Sequence, residues 1–295
     1  MKKYIISLVL VAATMLACDN MESVIETGNE NEIVLSPIYP GIQTKATEAG
    51  FETGDEIGVF ITKWSDGKSV QLQLGGNWGN NILLTNQGSS WILSPKVYWN
   101  EDKFDIYAYY PYDNDLSSVD QYPFSVFQDQ TILASSHNPD AFEMSDFLWA
   151  KELGKTQSAN VPLSFKHKMS KLIINLVKGR DYEGDIPDDA IVFIHNTVTD
   201  ALIDLSTGDV IKTPRAPVHT IKARKNDTGK YSAIIVPQML ANKLPLIEIQ
   251  CGKISYLLES KFNFKTGMCH IVNITLDDNP EKVAITIGGE IENWN

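Results

Sequence analysis

Residues 50–64 read GFETGDEIGVFITKW. Three carboxylates and three glycines fill the first nine positions, and the stretch then turns apolar. Such an opening suits either a phosphate cradle or a turn that feeds a strand. A cradle needs a helix behind it, whose first N–H groups and dipole hold the anion. No helical period follows here. Ile57, Val59 and Ile61 recur at every second position instead, which is the period of a strand. Gly54 permits a positive φ and Asp55 can bond its own turn, so the segment reads as turn, then strand. Phe51, Ile57 and Val59 are expected in the core or between sheets.

The same alternation runs through the rest of the chain. KFDIYAYYPY (103–112) places Phe104, Ile106, Ala108 and Tyr110 on one face. SKLIINLV, AIVFIHNTV, YSAIIVP, LPLIEIQC, KISYLLES, HIVNITL and VAITIGGEI follow, separated by Gly, Asp and Asn turns. Short strands at this spacing, with hardly any helical periodicity, define an all-β sandwich class. NPDAFEMSDFLWAKEL (138–153) has room for one short helical turn. KVAITIGGEIENWN closes the chain, and its paired Gly288 and Gly289 predict a bulge or bend.

The chain opens MKKYIISLVLVAATMLACDN. Two lysines, a short apolar run and small residues follow the plan of a secretory signal. The run is too short to span a bilayer, which takes about 20 apolar residues. It ends Leu16-Ala17-Cys18, the pattern of a bacterial lipoprotein signal, so residues 1–17 are expected to be removed and Cys18 acylated. The formal net charge is −12, and residues 1–17 hold two lysines and no acid, so the exported chain is more acidic still. Such a chain lacks the basic stripe of a nucleic-acid binder.

Catalytic signatures are scarce. His137, His167, His195, His219 and His270 are scattered, and no His-Glu-x-x-His, Gly-x-Ser-x-Gly or Walker loop occurs. No enzyme, cofactor or metal is expected. His167 sits between lysines and reads as a strand residue. KGRDYEGDIPDD (178–189) brings Asp181, Glu183, Asp185, Asp188 and Asp189 together without EF-hand spacing, and reads as a solvated connection between two sandwiches. Cys251 shares a face with Ile247 and Ile249, whereas Cys269 falls out of phase with Val272, Ile274 and Leu276; a disulfide stays open, and two separate thiols are favoured. Trp64, Trp78, Trp91 and Trp99 fall within 36 residues. They suit either a sandwich core or a platform for sugar rings.

FETGDEIGVF (51–60) resembles the Phe-x-x-Gly-Asp-x-Ile-Gly-Val-Tyr signature of the fimbrillin (Mfa-like) family of Bacteroidetes surface lipoproteins. VYWNEDKFDIYAYYPY, SDFLWA, LSFKHKMSKLIINL, LSTGDV, IIVPQML, FKTGMCHIVNITL and a final ENW follow in the family order, from about Thr44 to Asn295. The resemblance implies two tandem transthyretin-like β-sandwiches, 46–180 and 181–295, behind a leader at 18–45. It implies a subunit of cell-surface fimbriae at the outer membrane, held there by a lipid anchor. Other fimbrial subunits are the implied partners, and host or bacterial glycans or proteins the implied receptors.

Three roles follow from that resemblance. A shaft or accessory subunit loses its first strand to a protease and accepts a strand from its neighbour. Here Glu32-Ile33-Val34-Leu35 is the candidate removable strand, with a cut between Lys45 and Ala46. The family often has Thr-Arg-Ala where this chain has Thr44-Lys45-Ala46, so the cut need not be arginine-specific. Ile285, Ile287, Ile291 and Trp294 are the candidate donor residues, unless they complete the subunit's own sandwich. The other two roles are a glycan- or host-binding tip and a lipidated anchor, neither of which polymerises.

Overall fold

The structure is a computed structural model that describes residues 31–41, 50–135, 140–280, 283–292 and 294, with the backbone alone for Ile287 and Glu292. Nine strands come first: β1 (Leu35–Ile38), β2 (Glu56–Lys63), β3 (Gly79–Asn86), β4 (Trp91–Ser94), β5 (Phe104–Tyr110), β6 (Tyr122–Ser125), β7 (Leu148–Lys155), β8 (Val161–Ser164) and β9 (Lys166–His167). Six follow as β10 (Ser170–Lys178), β11 (Ile191–Thr197), β12 (Asp200–Asp204), β13 (Asp209–Lys212), β14 (His219–Lys222) and β15 (Arg224–Asp227). The last seven are β16 (Lys230–Ile235), β17 (Gln238–Leu240), β18 (Pro245–Cys251), β19 (Ile254–Glu259), β20 (Phe262–Phe264), β21 (Met268–Leu276) and β22 (Ala284–Glu292). The single helical element among the described residues is the 3-10 turn Glu143–Ser145, inside the stretch expected to hold one. None of the described helices is long and apolar enough to cross a membrane.

Residues 50–64 fold as expected. Gly54 has φ +100°, and the Asp55 carboxylate accepts the Glu52 N–H at 2.7 Å. The chain then enters β2, which pairs with β3 on one side and β5 on the other. The six-stranded sheet runs β4-β3-β2-β5-β7-β9. Its two faces look into different cores. Ile57, Val59, Ile61, Phe104, Ile106 and Ala108 point into one with Ile33, Leu35, Trp99, Val161 and Leu163. Phe60, Tyr107 and Tyr109 point into the other, with Phe124, Phe147 and the C-terminal strands. Such a strand is apolar on both faces, which is why β2 is buried from Ile57 to Thr62 rather than only at alternate positions.

The second core lies between a five-stranded sheet, β15-β16-β10-β21-β22, and a four-stranded one, β14-β11-β18-β19. A three-stranded sheet, β13-β12-β6, links residues of the first half to the second. Strand β10 ends at Lys178, before the expected division at 180, yet all its ladder bonds go to β16 and β21 in the C-terminal half. The described residues pack as one unit. Cys251 and Cys269 are both buried and free; burial pushes the Cys269 thiol up to about 11. In the acidic loop, Lys225 pairs with Asp188 and the Glu183 N–H bonds Asp278.

Candidate assembly slot and terminal tail

The segment from Asn31 to Ile38 lies in a slot with a hydrogen-bonding edge on each side. On one edge Ile33 N–H donates to Val97 C=O at 2.8 Å, and Trp99 N–H donates to Asn31 C=O at 2.6 Å. On the other, Val161 N–H donates to Val34 C=O at 2.9 Å, and Phe165 N–H donates to Ile38 C=O at 3.0 Å. β1 and β8 run parallel, from Leu35 opposite Val161 to Ile38 opposite Ser164. Side chains alternate as a strand requires. Ile33 and Leu35 are 1% and 3% exposed, whereas Val34 and Ile38 between and beyond them are 42% and 49% exposed. Burying each of the two inward side chains contributes roughly 1.5–3 kcal/mol. Lys96 pairs with Glu32 at 2.9 Å, and Asn160 donates to Ser36 at 2.6 Å. Withdrawing this segment would leave two open edges and two apolar pockets spaced at i and i+2.

The tail, β22, pairs antiparallel with β21 of its own chain. Ile271 faces Gly289 and Val272 faces Ile287, so Gly288 is the extra residue of a bulge, as the paired glycines predicted. Ile285 is partly buried against the second core, Ile291 is 50% exposed and Trp294 is 3% exposed. Past the bulge, Glu290 pairs with Lys265 at 2.6 Å and with His270 Nδ1 at 3.1 Å.

The segment just after β1 and the tail meet at His167. Its ring stacks on the Trp294 indole, with centroids 4.0 Å apart and planes 12° from parallel. His167 Nε2 donates to Trp294 C=O at 2.7 Å, and Nδ1 stands 2.7 Å from an Asp146 oxygen. Tyr39, next after β1, meets the same imidazole edge-on at 5.8 Å. Tyr39 and Trp294 also line one cavity of about 220 Å³ with Asp55, Tyr110, Glu143 and Lys171. Burial pushes the Asp55 and Glu143 carboxyls up and the Lys171 ammonium down.

Of the sequence-predicted site residues, Cys18, Lys45 and Ala46 lie outside the described residues. Trp64 gives its indole N–H to Asp105 at 2.8 Å and carries Lys103 on its ring. Trp91 packs edge-on against Phe51, which is half-buried, and Trp99 is buried against Phe104. Trp78 is 44% exposed and, with the 40% exposed Tyr98, borders an open groove. Sequence reasoning missed Tyr39, Asp146 and the role of His167. His167 is indeed a strand residue, on β9, but its partners sit far away in sequence.

Fold and slot together define a β-sandwich protein completed by its own N-terminal segment. The chain belongs to the fimbrillin-like family, which matches residues 44–294. That family gives it a fimbrial or adhesion role at the cell surface. No curated protein matches the chain. Solved structures do. A candidate cell adhesion protein from Bacteroides uniformis is similar at 20% identity and a TM-score of 0.67, over 88% of this chain and 98% of that one. Another from Bacteroides ovatus is similar at 20% identity and 0.66, over 90% and 97%. A fimbrial protein from Bacteroides vulgatus is similar at 14% identity and 0.53, over 89% and 99%. At these identities the likeness is one of fold.

Proposed function

We propose that the chain is a fimbrial subunit that assembles by strand addition, with its segment 31–38 as the removable strand. The observation that carries this reading is the two-edged slot, in which Ile33 and Leu35 are the buried residues of 31–38. An incoming strand needs only an apolar pair at i and i+2 to refill it, because backbone bonds supply the rest. The tail offers the four apolar candidate donor residues, Ile285, Ile287, Ile291 and Trp294, on either side of the Gly288 bulge. On the same reading Cys18 carries the lipid that holds the chain at the outer membrane, and cleavage falls between Lys45 and Ala46. The chain is then organised as two sandwiches behind its leader, and its partners are further subunits of the same kind.

The test is to engineer a protease site into 42–49 and cut the purified protein. A peptide spanning residues 283–294 is then added. The cut protein is expected to release 31–41 and form oligomers on size exclusion, and to bind the peptide, an excess of which suppresses the oligomers, while uncut protein stays monomeric and does not bind. Cut protein that sheds its strand yet neither binds nor associates would end the reading. A second role, glycan binding at a tip, is favoured by one observation, the open groove bordered by Trp78 and Tyr98. Loss of glycan-array binding in Trp78→Ala, with an unchanged melt, would support it; absence of any array binding by the parent protein would remove it.

A further inference from the structure

We propose that His167 couples the two ends of the subunit, so that the C-terminal tail is held in place only while the N-terminal strand is seated. The inference rests on the removable-strand reading above and adds to it a reason for the tail to come free.

Three contacts in series carry it. The Ile38 carbonyl accepts from Phe165 N–H at 3.0 Å, which ties the end of β1 to the residues that lead into β9. Tyr39 then lays its ring against the edge of the His167 imidazole. That imidazole also stacks on Trp294 and donates to the Trp294 carbonyl. A carbonyl has no proton to give, so Nε2 must carry one. The ring is 2% exposed at the residue level. A hydrogen bond shielded from water in this way is far stronger than one that water can replace.

Past the bulge the tail is held by its ladder to β21 and by Glu290, which pairs with Lys265 and His270 at its exposed side. Ile291 is half exposed and Gly289 has no side chain, so Trp294 is the buried anchor of this stretch among the described residues. When 31–39 leaves, the Phe165 N–H loses its acceptor and Tyr39 uncovers His167. Water then reaches the Nε2 bond and the cavity that Tyr39 and Trp294 share. The anchor weakens at the moment the slot opens. A tail freed by the loss of the strand has a vacant slot on a neighbouring copy to enter, whereas an unprocessed subunit keeps its tail at home.

Hydrogen exchange on the intact, uncut protein tests the coupling without any assembly step. Tyr39→Ala keeps β1 but removes the ring. It is expected to speed exchange at the amides of Gly289–Glu292 and their partners Met268–Ile271 by roughly tenfold, with strands β2, β5 and β7 unmoved. His167→Phe keeps a flat ring and removes both polar contacts, and should give the same pattern. In the double variant Tyr39→Ala/Trp294→Ala, exchange should be no faster than in Trp294→Ala alone, because the anchor is already gone. Wild-type exchange at the tail in Tyr39→Ala overturns the proposal. So do two effects that multiply in the double variant, or acceleration spread evenly over the whole fold. Should Tyr39→Ala fail to fold, Tyr39→Leu fills part of the same space and is read the same way. A tail that loosens in a protein whose cut form takes no strand would count against assembly alone. A protein that assembles while Tyr39→Ala leaves its tail protected would count against the coupling alone.

Discussion

Gly58 and Tyr109 face each other across the β2–β5 pair, and the phenol ring lies where a side chain on Gly58 would stand. A Cβ at position 58 would be 2.1 Å from Tyr109 Cε1. The ring has nowhere to go. Its hydroxyl donates to Asn81 Oδ1 at 2.8 Å and accepts the Asp113 N–H at 3.2 Å, and the ring packs against Tyr122 and Phe147. Gly58→Ala is therefore expected to cost about 3 kcal/mol through overpacking, read from urea unfolding of the purified protein. A midpoint equal to that of wild type would mean that Tyr109 is not seated over Gly58.

That glycine belongs to the motif on which the fold was read, and it shows where reading from sequence stops. The turn at Gly54-Asp55, the strand behind it and the bulge at Gly288 are local, so periodicity and glycine chemistry suffice to place them. The apolar partner on the second face of β2 is not local. Phe60 is buried in the second core together with Phe147 and residues of the C-terminal half, and nothing near position 60 announces that. The parallel pairing of β1 with β8 is equally remote, since parallel neighbours share no turn whose residues mark them. His167 was legible as a strand residue from its surroundings, but its role rests on Trp294, 127 positions away. Cys269 lies out of phase with the residues that follow it and is buried all the same.

The slot makes a position-by-position prediction. Leu35→Ala and Ile33→Ala each leave a cavity in the first core and are expected to cost about 2–4 kcal/mol in the uncut protein. Val34→Ala, between them, faces solvent and should stay within about 0.5 kcal/mol of wild type. Thermal or urea melts of the three variants settle the matter. Equal losses at all three positions would mean that the segment does not sit as an alternating strand.

Acid should loosen the tail through His270. The ring is buried, its Nε2 accepts the Lys265 N–H at 3.2 Å, and its Nδ1 faces Glu290. Burial holds the imidazole below its ordinary range despite the nearby carboxylate. The unfolded chain thus takes up this proton first as pH falls below about 6.5, and stability declines from there down to the folded value. The slope for one group is at most about 1.4 kcal/mol per pH unit. Glu290, held below the usual carboxylate range by Lys265, adds to the loss at lower pH. Asp55 and Glu143 act in the opposite sense, because their carboxyls are raised by burial. The difference between wild type and His270→Gln isolates the histidine. Melts between pH 7 and 5 should fall more steeply for wild type, and parallel curves would contradict the assignment.

Ile291 and Trp294 separate what the tail does for its own subunit from what it does for another. Trp294 is buried in the second core and stacked on His167, so Trp294→Ala is expected to cost about 3 kcal/mol or more in the monomer. Ile291 is half exposed and should tolerate Ala or Asp within about 0.5 kcal/mol. A residue exposed at home but needed in a neighbour's slot has a distinct signature. Ile291→Asp would leave the monomer melt untouched and sharply reduce oligomers formed after removal of 31–41, because a charge in an apolar pocket is expensive. Oligomers formed by Ile291→Asp at the wild-type yield would place Ile291 outside the donated surface. The donor segment would then have to lie nearer Ile285, on the other side of the Gly288 bulge.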